Sequence, residues 1–314
     1  MSTKPPIFIG GAGRAGTRLL RSIIGKIPSI FEIPRETYIF SPKQKTGAKI
    51  LKQIDSKNNQ QDKQKALLMF VLLSIFYKQE IAYKKFLSLK NDYENALKIW
   101  SGLPQKNNND KKIISLFQKI YPLINSLTDN SYCEKESYSS NRFAIFDFVV
   151  NCLCEENNCL RWVEKTPANI FQIEKILEYY PPAKFIAITR NPYAVYASWK
   201  KKDKNKNIIS VIKNWLEINQ AIINNKNHNN FFALRYEDLI TNPEQTIKSI
   251  CEFIDEPFSP QLLDVEVLNT NSQARGAKGF NQDSINKWKD ELNFIEKLII
   301  EIPTKRLALQ CGYN

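Results

Sequence analysis

The sequence predicts an α/β fold, a central parallel β-sheet flanked by helices on both faces, from three observations. Short β-rich segments alternate with apolar residues at helical spacing, a glycine-rich loop joins the first strand to the first helix, and a capping residue followed by proline opens later helices. The strands expected are Ile7–Gly10, Ile30–Ile33, Arg161–Glu164, Lys184–Thr189 and Phe231–Tyr236. After the first of them, Leu20, Ile23, Ile24 and Ile27 follow the i, i+3, i+4, i+7 pattern of a helix with one apolar face. After the last, Ile247, Ile250, Cys251 and Ile254 repeat it. Thr166-Pro167, Asn191-Pro192 and Thr241-Asn242-Pro243-Glu244 mark helix starts, because proline at the first helical position gives up no hydrogen bond. Residues 41–140 break the alternation with helical stretches at 62–90 and 111–127 and asparagine-rich joints. They read as a helical insertion within one domain spanning 1–314, with a lid over a bound substrate as its candidate role.

Composition narrows the partners. With 43% hydrophobic residues among 314, the chain can bury a sizeable core. Its 45 basic against 32 acidic residues give a formal charge of +13, which favours anionic ligands. Part of that charge lies in lysine runs such as Lys200 to Lys206, the pattern of a solvated face. The lysines are not interleaved with a stripe of stacking aromatics, so no nucleic-acid partner is expected. The N-terminal residues lack the pattern of a secretory signal, and the longest apolar run, Ala66 to Phe76, is shorter than the ~20 residues that span a bilayer. A cytoplasmic protein with no membrane partner is the expectation. Cys152, Cys154 and Cys159 form no CxxC pair and have no histidine beside them, so reduced core thiols are expected and no metal site.

The segment from Pro6 to Leu20 reads strand, glycine-rich loop, helix. Small residues let backbone N–H groups close around an anion at a helix N-terminus, where the helix dipole also favours negative charge. A tight strand-to-helix turn would use the same glycines. Gly11 and Gly16 stand at P-loop spacing, but Thr17 and Arg18 occupy the positions where a kinase carries lysine and then Ser/Thr. The strand Lys184–Thr189 leads into Arg190, where Mg²⁺ chemistry would want an aspartate. A phosphate cradle without the metal apparatus of a nucleotide kinase is the result.

A second anchor follows from Lys184 to Lys202. Asn191 and Pro192 fit the N-cap and first helical position, so Arg190 at the strand end and Ser198 on the helix could close on one anion. Arginine suits this task because its fork donates two parallel hydrogen bonds to phosphate oxygens, although a strand-end arginine serves equally well in a salt bridge.

Together these segments resemble the sulfotransferases that use 3′-phosphoadenosine-5′-phosphosulfate (PAPS). Gly10 to Leu20 looks like their 5′-phosphosulfate loop, and Arg190 with Ser198 looks like their 3′-phosphate motif. The likeness continues through Val163–Pro167, Arg235–Leu239, Ser284–Leu292 and the terminal Cys-Gly-Tyr; it covers residues 1–40 and about 140–314. It implies the P-loop-like fold of that family, with PAPS as donor, adenosine 3′,5′-bisphosphate as product and no metal. By it Arg14, Ala15, Gly16, Thr17 and Arg18 surround the 5′-phosphosulfate. Ala15 and Arg18 replace the usual Ser/Thr, so one hydroxyl contact is lost. Tyr236, Ser272 and Lys278 resemble further cofactor contacts of the tyrosylprotein branch, and Lys202 falls on another such position inside its lysine run.

Sulfuryl transfer needs a base for the acceptor proton and cations for the charge on the leaving oxygens. The single histidine, His228, lies in a polar asparagine-rich loop and reads as solvated. That departs from the phenol-type enzymes, which use histidine. Glu36, just after the second strand, resembles the catalytic glutamate of the saccharide and tyrosylprotein branches, while Glu32 alternates to a structural position. Arg14 would neutralise the transferring group, and Lys165 resembles the lysine that stabilises it; a lysine flanking a helix start would look the same. The acceptor expected is a small metabolite or natural product bearing a hydroxyl or amine, with tyrosyl peptides and saccharides as alternatives. A P-loop small-molecule kinase and a nucleic-acid-binding protein are the competing readings.

Overall fold

The structure, a computed structural model, describes residues 4–41, 45–57, 60–89, 108–127, 138–265 and 280–313. The chain forms two compact units, one of residues 33–162 and one of residues 4–32 with 163–314.

The second unit carries the sheet. Its strands are β1 (Ile7–Gly11), β2 (Ile30–Glu32), β3 (Arg161–Lys165, entered across the unit boundary), β4 (Lys184–Thr189) and β5 (Phe231–Arg235). They lie in the order β2-β3-β1-β4-β5. Ile9 of β1 is in parallel register with Lys165 on one side and Ile186 on the other, and Ile188 of β4 with Leu234 of β5. Ile7, Phe8 and Ile9 and the run Phe185 to Ile188 are fully buried, as expected of parallel strands covered on both faces. The sheet is therefore the parallel α/β core that the strand–helix alternation predicts, with each strand end within one residue of its expected place.

Helices follow the strands for identifiable reasons. Helix α1 (Thr17–Ile24) buries Leu20, Ile23 and Ile24. A 3₁₀ turn, Pro167–Gln172, starts at proline after Thr166 and runs into the helix Ile173–Tyr179. The helix Pro192–Lys202 is capped by Asn191, whose side chain accepts the Tyr193 N–H at 3.0 Å. The helix Ile208–Asn225 buries Trp215, Ile218 and Ile222. Tyr236–Thr241 and Pro243–Phe253 follow β5, and Phe294–Gln310 opens with a capping box between Asn293 and Glu296.

The first unit is helical: Lys45–Asp55, Gln60–Phe76, Gln79–Ser88, Asn108–Leu127 and Tyr138–Glu156. Ala66 to Phe76 is buried along its whole length. Such a helix shows no amphipathic face because neighbours cover it all round. Phe40 packs on Phe143 and edge-on to Phe146, which in turn meets Trp162.

Candidate active site

Four predicted site segments converge on the carboxyl ends of the parallel strands of the second unit. The chain runs from β1 to the edge strand β2, returns to β3 beside β1, then crosses to β4 and β5 on the other side, so the order reverses at β1. In open α/β sheets that reversal leaves a crevice where ligands bind.

The loop after β1 has a constrained backbone. Gly11 has φ 136°, and a Cβ there would collide with the Ile188 carbonyl. Gly16 has φ 97°, and a Cβ would sit 2.5 Å from the Tyr236 ring. Both positions need glycine. Arg14 also adopts a left-handed φ of 73°, uncommon for a residue with a side chain. Ala15 donates its N–H to the Ala12 carbonyl at 3.1 Å and is buried, as is Thr17 at the start of α1. Arg18 is exposed. The first turn of α1 contains no acid, so nothing local competes for the positive end of its dipole.

Cations gather beside this loop. Arg14 donates from Nε to the Ser198 hydroxyl at 2.9 Å. Arg190, 9% exposed, donates from Nη1 to the Arg14 carbonyl at 3.0 Å and from Nη2 to the Ser284 carbonyl at 2.6 Å. Its guanidinium lies over the Tyr236 ring, 4.2 Å from the centroid, and its buried Nε has no partner. Tyr236 and Ser284 share a hydroxyl contact of 2.8 Å. Burial, then the charges of Arg190 and Arg18, push the Arg14 pKa down from its ordinary value. Among the described residues no carboxylate pairs with Arg14, Arg18 or Arg190. The arrangement holds two repelling guanidinium groups that a multivalent anion would discharge.

The backbone under Arg190 is held from both sides. Trp215 donates its indole N–H to the Arg190 carbonyl at 2.9 Å. Glu237 accepts the Asn191 N–H at 3.0 Å on one oxygen and the Tyr313 hydroxyl at 2.9 Å on the other. Burial and Glu237 push the Tyr313 pKa up. Trp215 and Glu237 escaped the reading of the sequence, since nothing in their local pattern names a partner across the sheet. Ser284 could have been found, because it opens the Ser284–Leu292 stretch.

Lys165 ends β3 and is buried, in register with Ile9 just before the loop. Its neighbour Glu164 is fully buried and accepts the Thr166 hydroxyl at 2.6 Å and the Asn169 amide at 2.5 Å, a structural role. Glu32 pairs with Arg21 at 2.7 Å. Glu36 belongs to the helical unit, where it accepts the Tyr38 hydroxyl at 2.7 Å. Lys202 lies over the Trp199 ring at 5.2 Å. His228 sits in an exposed turn, accepting the Asn230 N–H at 3.1 Å on Nδ1. Burial raises the Cys154 thiol to about 12, which keeps it protonated and inert. Ser272 and Lys278 lie outside the described residues.

Comparison with known proteins bears on this geometry. The family model described as "Sulfotransferase family" matches residues 5–260. Omega-hydroxy-beta-dihydromenaquinone-9 sulfotransferase Stf3 of Mycobacterium tuberculosis is 29% identical over 106 residues, covering 29% of this chain and 27% of the relative. Sulfotransferase 2A6 of Mus musculus is 28% identical over 122 residues, covering 33% of this chain and 43% of the relative. The chain thus spans less than half the length of either. The sulfotransferase domain of the Synechococcus PCC 7002 olefin synthase superposes with a TM-score of 0.52 at 17% identity, over 100% of this chain and 98% of that one. The sulfotransferase domain from the curacin biosynthetic pathway does so with 0.53 at 20% identity, over 100% and 99%. At these identities the two structures speak for the fold.

Proposed function

Because the chain belongs to the sulfotransferase family, we propose that it transfers a sulfuryl group from PAPS to a hydroxyl or amine of a small metabolite or natural product. The observation that carries this reading is the Arg14–Arg190 pair: two guanidinium groups with no carboxylate partner among the described residues, one with a buried Nε left over, beside a glycine-bounded loop at a helix N-terminus. That donor set fits a nucleotide with anionic groups at two positions, and it does not present the carboxylate that a Mg²⁺–nucleotide complex would call for.

When bound, PAPS supplies the sulfuryl group and a good leaving phosphate. The acceptor's O–H or N–H bond breaks, its heteroatom bonds to sulfur, the sulfur–oxygen bond to the 5′-phosphate breaks, and adenosine 3′,5′-bisphosphate and one proton leave. Arg14, Ala15, Gly16, Thr17 and Arg18 would hold the 5′ end through backbone N–H groups, the Thr17 hydroxyl and two cations. Arg190 and Ser198, with Tyr236 behind the guanidinium, would hold the 3′-phosphate. Lys165 would spread the charge that develops on the transferring oxygens. Glu36 would take the acceptor proton, a role worth about 10²–10⁴-fold.

The test is transfer of label from ³⁵S-PAPS to a panel of acceptors in excess EDTA. The panel should hold natural-product alcohols, amines, a tyrosyl peptide, a saccharide and a hydroxylated isoprenoid quinone, because the mycobacterial relative's name gives such an acceptor. Retention on immobilised adenosine 3′,5′-bisphosphate, eluted by that nucleotide and not by ATP, is the parallel measurement. An obligatory metal, or elution by ATP, would restore the kinase reading.

A further inference from the structure

The helix Phe294–Gln310 of the second unit buries Ile300, Thr304, Leu307 and Ala308 and leaves another face bare. On that face stand Phe294 (77% exposed), Ile295 (66%), Leu298 (44%), Ile302 (72%) and Leu309 (55%). At 3.6 residues per turn these five side chains fall within a stripe about 100° wide that runs nearly the whole helix. Scattered exposed apolar residues need no explanation, but a contiguous stripe of large ones marks a surface that something covers.

Charge identifies what covers it. Of the two acids on the helix, Glu296 pairs with Lys200 at 2.8 Å and closes the capping box, and Glu301 lies near the Tyr193 hydroxyl, whose pKa burial and then this carboxylate push up. Its exposed cations, Lys305 within the same arc and Arg306 at its edge, stand between Ile302 and Leu309 with no acid paired to them among the described residues. The surface thus offers apolar side chains edged by positive charge, the composition of a helix lying in the headgroup region of an anionic bilayer. A second copy fits less well, since each carries a formal charge of +13 and the pairing would add like charge to like.

We propose that this helix docks the protein on the surface of a membrane containing anionic lipid, its apolar stripe entering the headgroup–acyl boundary while Lys305 and Arg306 meet lipid phosphates. The attachment is peripheral: among the described residues no helix is long and apolar enough to cross a membrane.

Co-sedimentation of the full chain with vesicles tests this. The chain should bind vesicles of equal parts phosphatidylcholine and phosphatidylglycerol, bind pure phosphatidylcholine far less, and lose binding as salt is raised. Lys305→Gln with Arg306→Gln should lower partitioning on the anionic vesicles by about thirtyfold, since each basic group near such a surface is worth about fivefold. Phe294→Asn with Ile302→Asn should lower it at least about tenfold with the thermal midpoint unchanged, because neither side chain packs inside. Failure to bind either vesicle, or binding of the anionic vesicles by either double variant as strongly as by wild type, would overturn the proposal. So would sedimentation velocity showing a dimer that Phe294→Asn with Ile302→Asn converts to monomer, which would make the stripe a contact between copies.

Discussion

Replacing Arg190 with alanine separates the two ends of the proposed nucleotide site. The side chain has three nitrogens: Nη1 holds the Arg14 carbonyl, Nη2 holds the Ser284 carbonyl, and Nε is buried and unused. If the guanidinium grips a 3′-phosphate, its loss removes a charge-assisted contact worth about 1.5–3 kcal/mol, or roughly 10- to 150-fold in affinity for adenosine 3′,5′-bisphosphate. The same variant gives up the hydrogen bond to the Arg14 carbonyl, which braces the loop at the other end of the nucleotide. That bond runs to a neutral group and its loss acts on the ligand only through the loop. It is also offset in part, because Arg190 is one of the charges that lower the Arg14 pKa. Adenosine 5′-monophosphate should therefore weaken by no more than about fivefold, less than a full hydrogen bond to a charged group. Titration calorimetry with both nucleotides on wild type and Arg190→Ala, at one ionic strength, gives the four affinities. Equal losses for the two nucleotides would refute the reasoning, leaving Arg190 as a brace of the loop and nothing more.

Other expectations follow from the same geometry. Glu36→Gln should lower kcat by about a hundredfold or more with donor affinity nearly unchanged, whereas Glu32→Gln should keep kcat and lose at most about 1 kcal/mol of stability with its half-exposed pair to Arg21, as steady-state kinetics and denaturant melts would show. Gly16→Ala places a methyl 2.5 Å from the Tyr236 ring at φ 97°; calorimetry should show nucleotide affinity falling more than about tenfold, and the thermal midpoint should drop. Burial raises the Asp147 carboxyl from 3.8 to about 6, against a smaller opposing effect from the Asn151 amide. The folded state thus binds its proton more tightly between about pH 4 and 6, and stability falls as pH rises through that window. Asp147→Asn should accordingly be more stable than wild type above pH 7, by up to about 3 kcal/mol, and match it near pH 4 in melts across that range.

The sheet was legible because each strand is a short apolar run between breakers and because proline opens the helical turns after β3 and β4 and the second helix after β5. Lys184–Thr189 is found as expected, and β3 extends one residue further to include Lys165, since pairing with β1 and not composition decides where a strand stops. Arg190 was legible as a candidate anion ligand because it follows a strand end, where parallel sheets bind, and Arg14 because it lies in the glycine-rich loop. Their partners were not. Arg190 and Ser198 were read as closing on one anion; within the protein the Ser198 hydroxyl accepts from Arg14, and Arg190 donates to the carbonyls of Arg14 and Ser284. Spacing along a helix reports which face a residue occupies and says nothing of what arrives opposite. The same limit hid the stripe on Phe294–Gln310: apolar residues occur all round that helix, so the sequence offers no amphipathic contrast, and only packing shows which of them stay outside.

The clamp on the Arg190 backbone has an entropic consequence. An arginine free in solvent gives up about 2 kcal/mol of rotamer freedom when a ligand fixes it, and that cost is subtracted from every contact it makes. Here the indole of Trp215, the carboxylate of Glu237, the Tyr236 ring and two carbonyls have already fixed the side chain and the peptides on either side of it. The ordering cost is met when the protein folds, so a phosphate arriving at this position gains the contact with little loss of side-chain freedom.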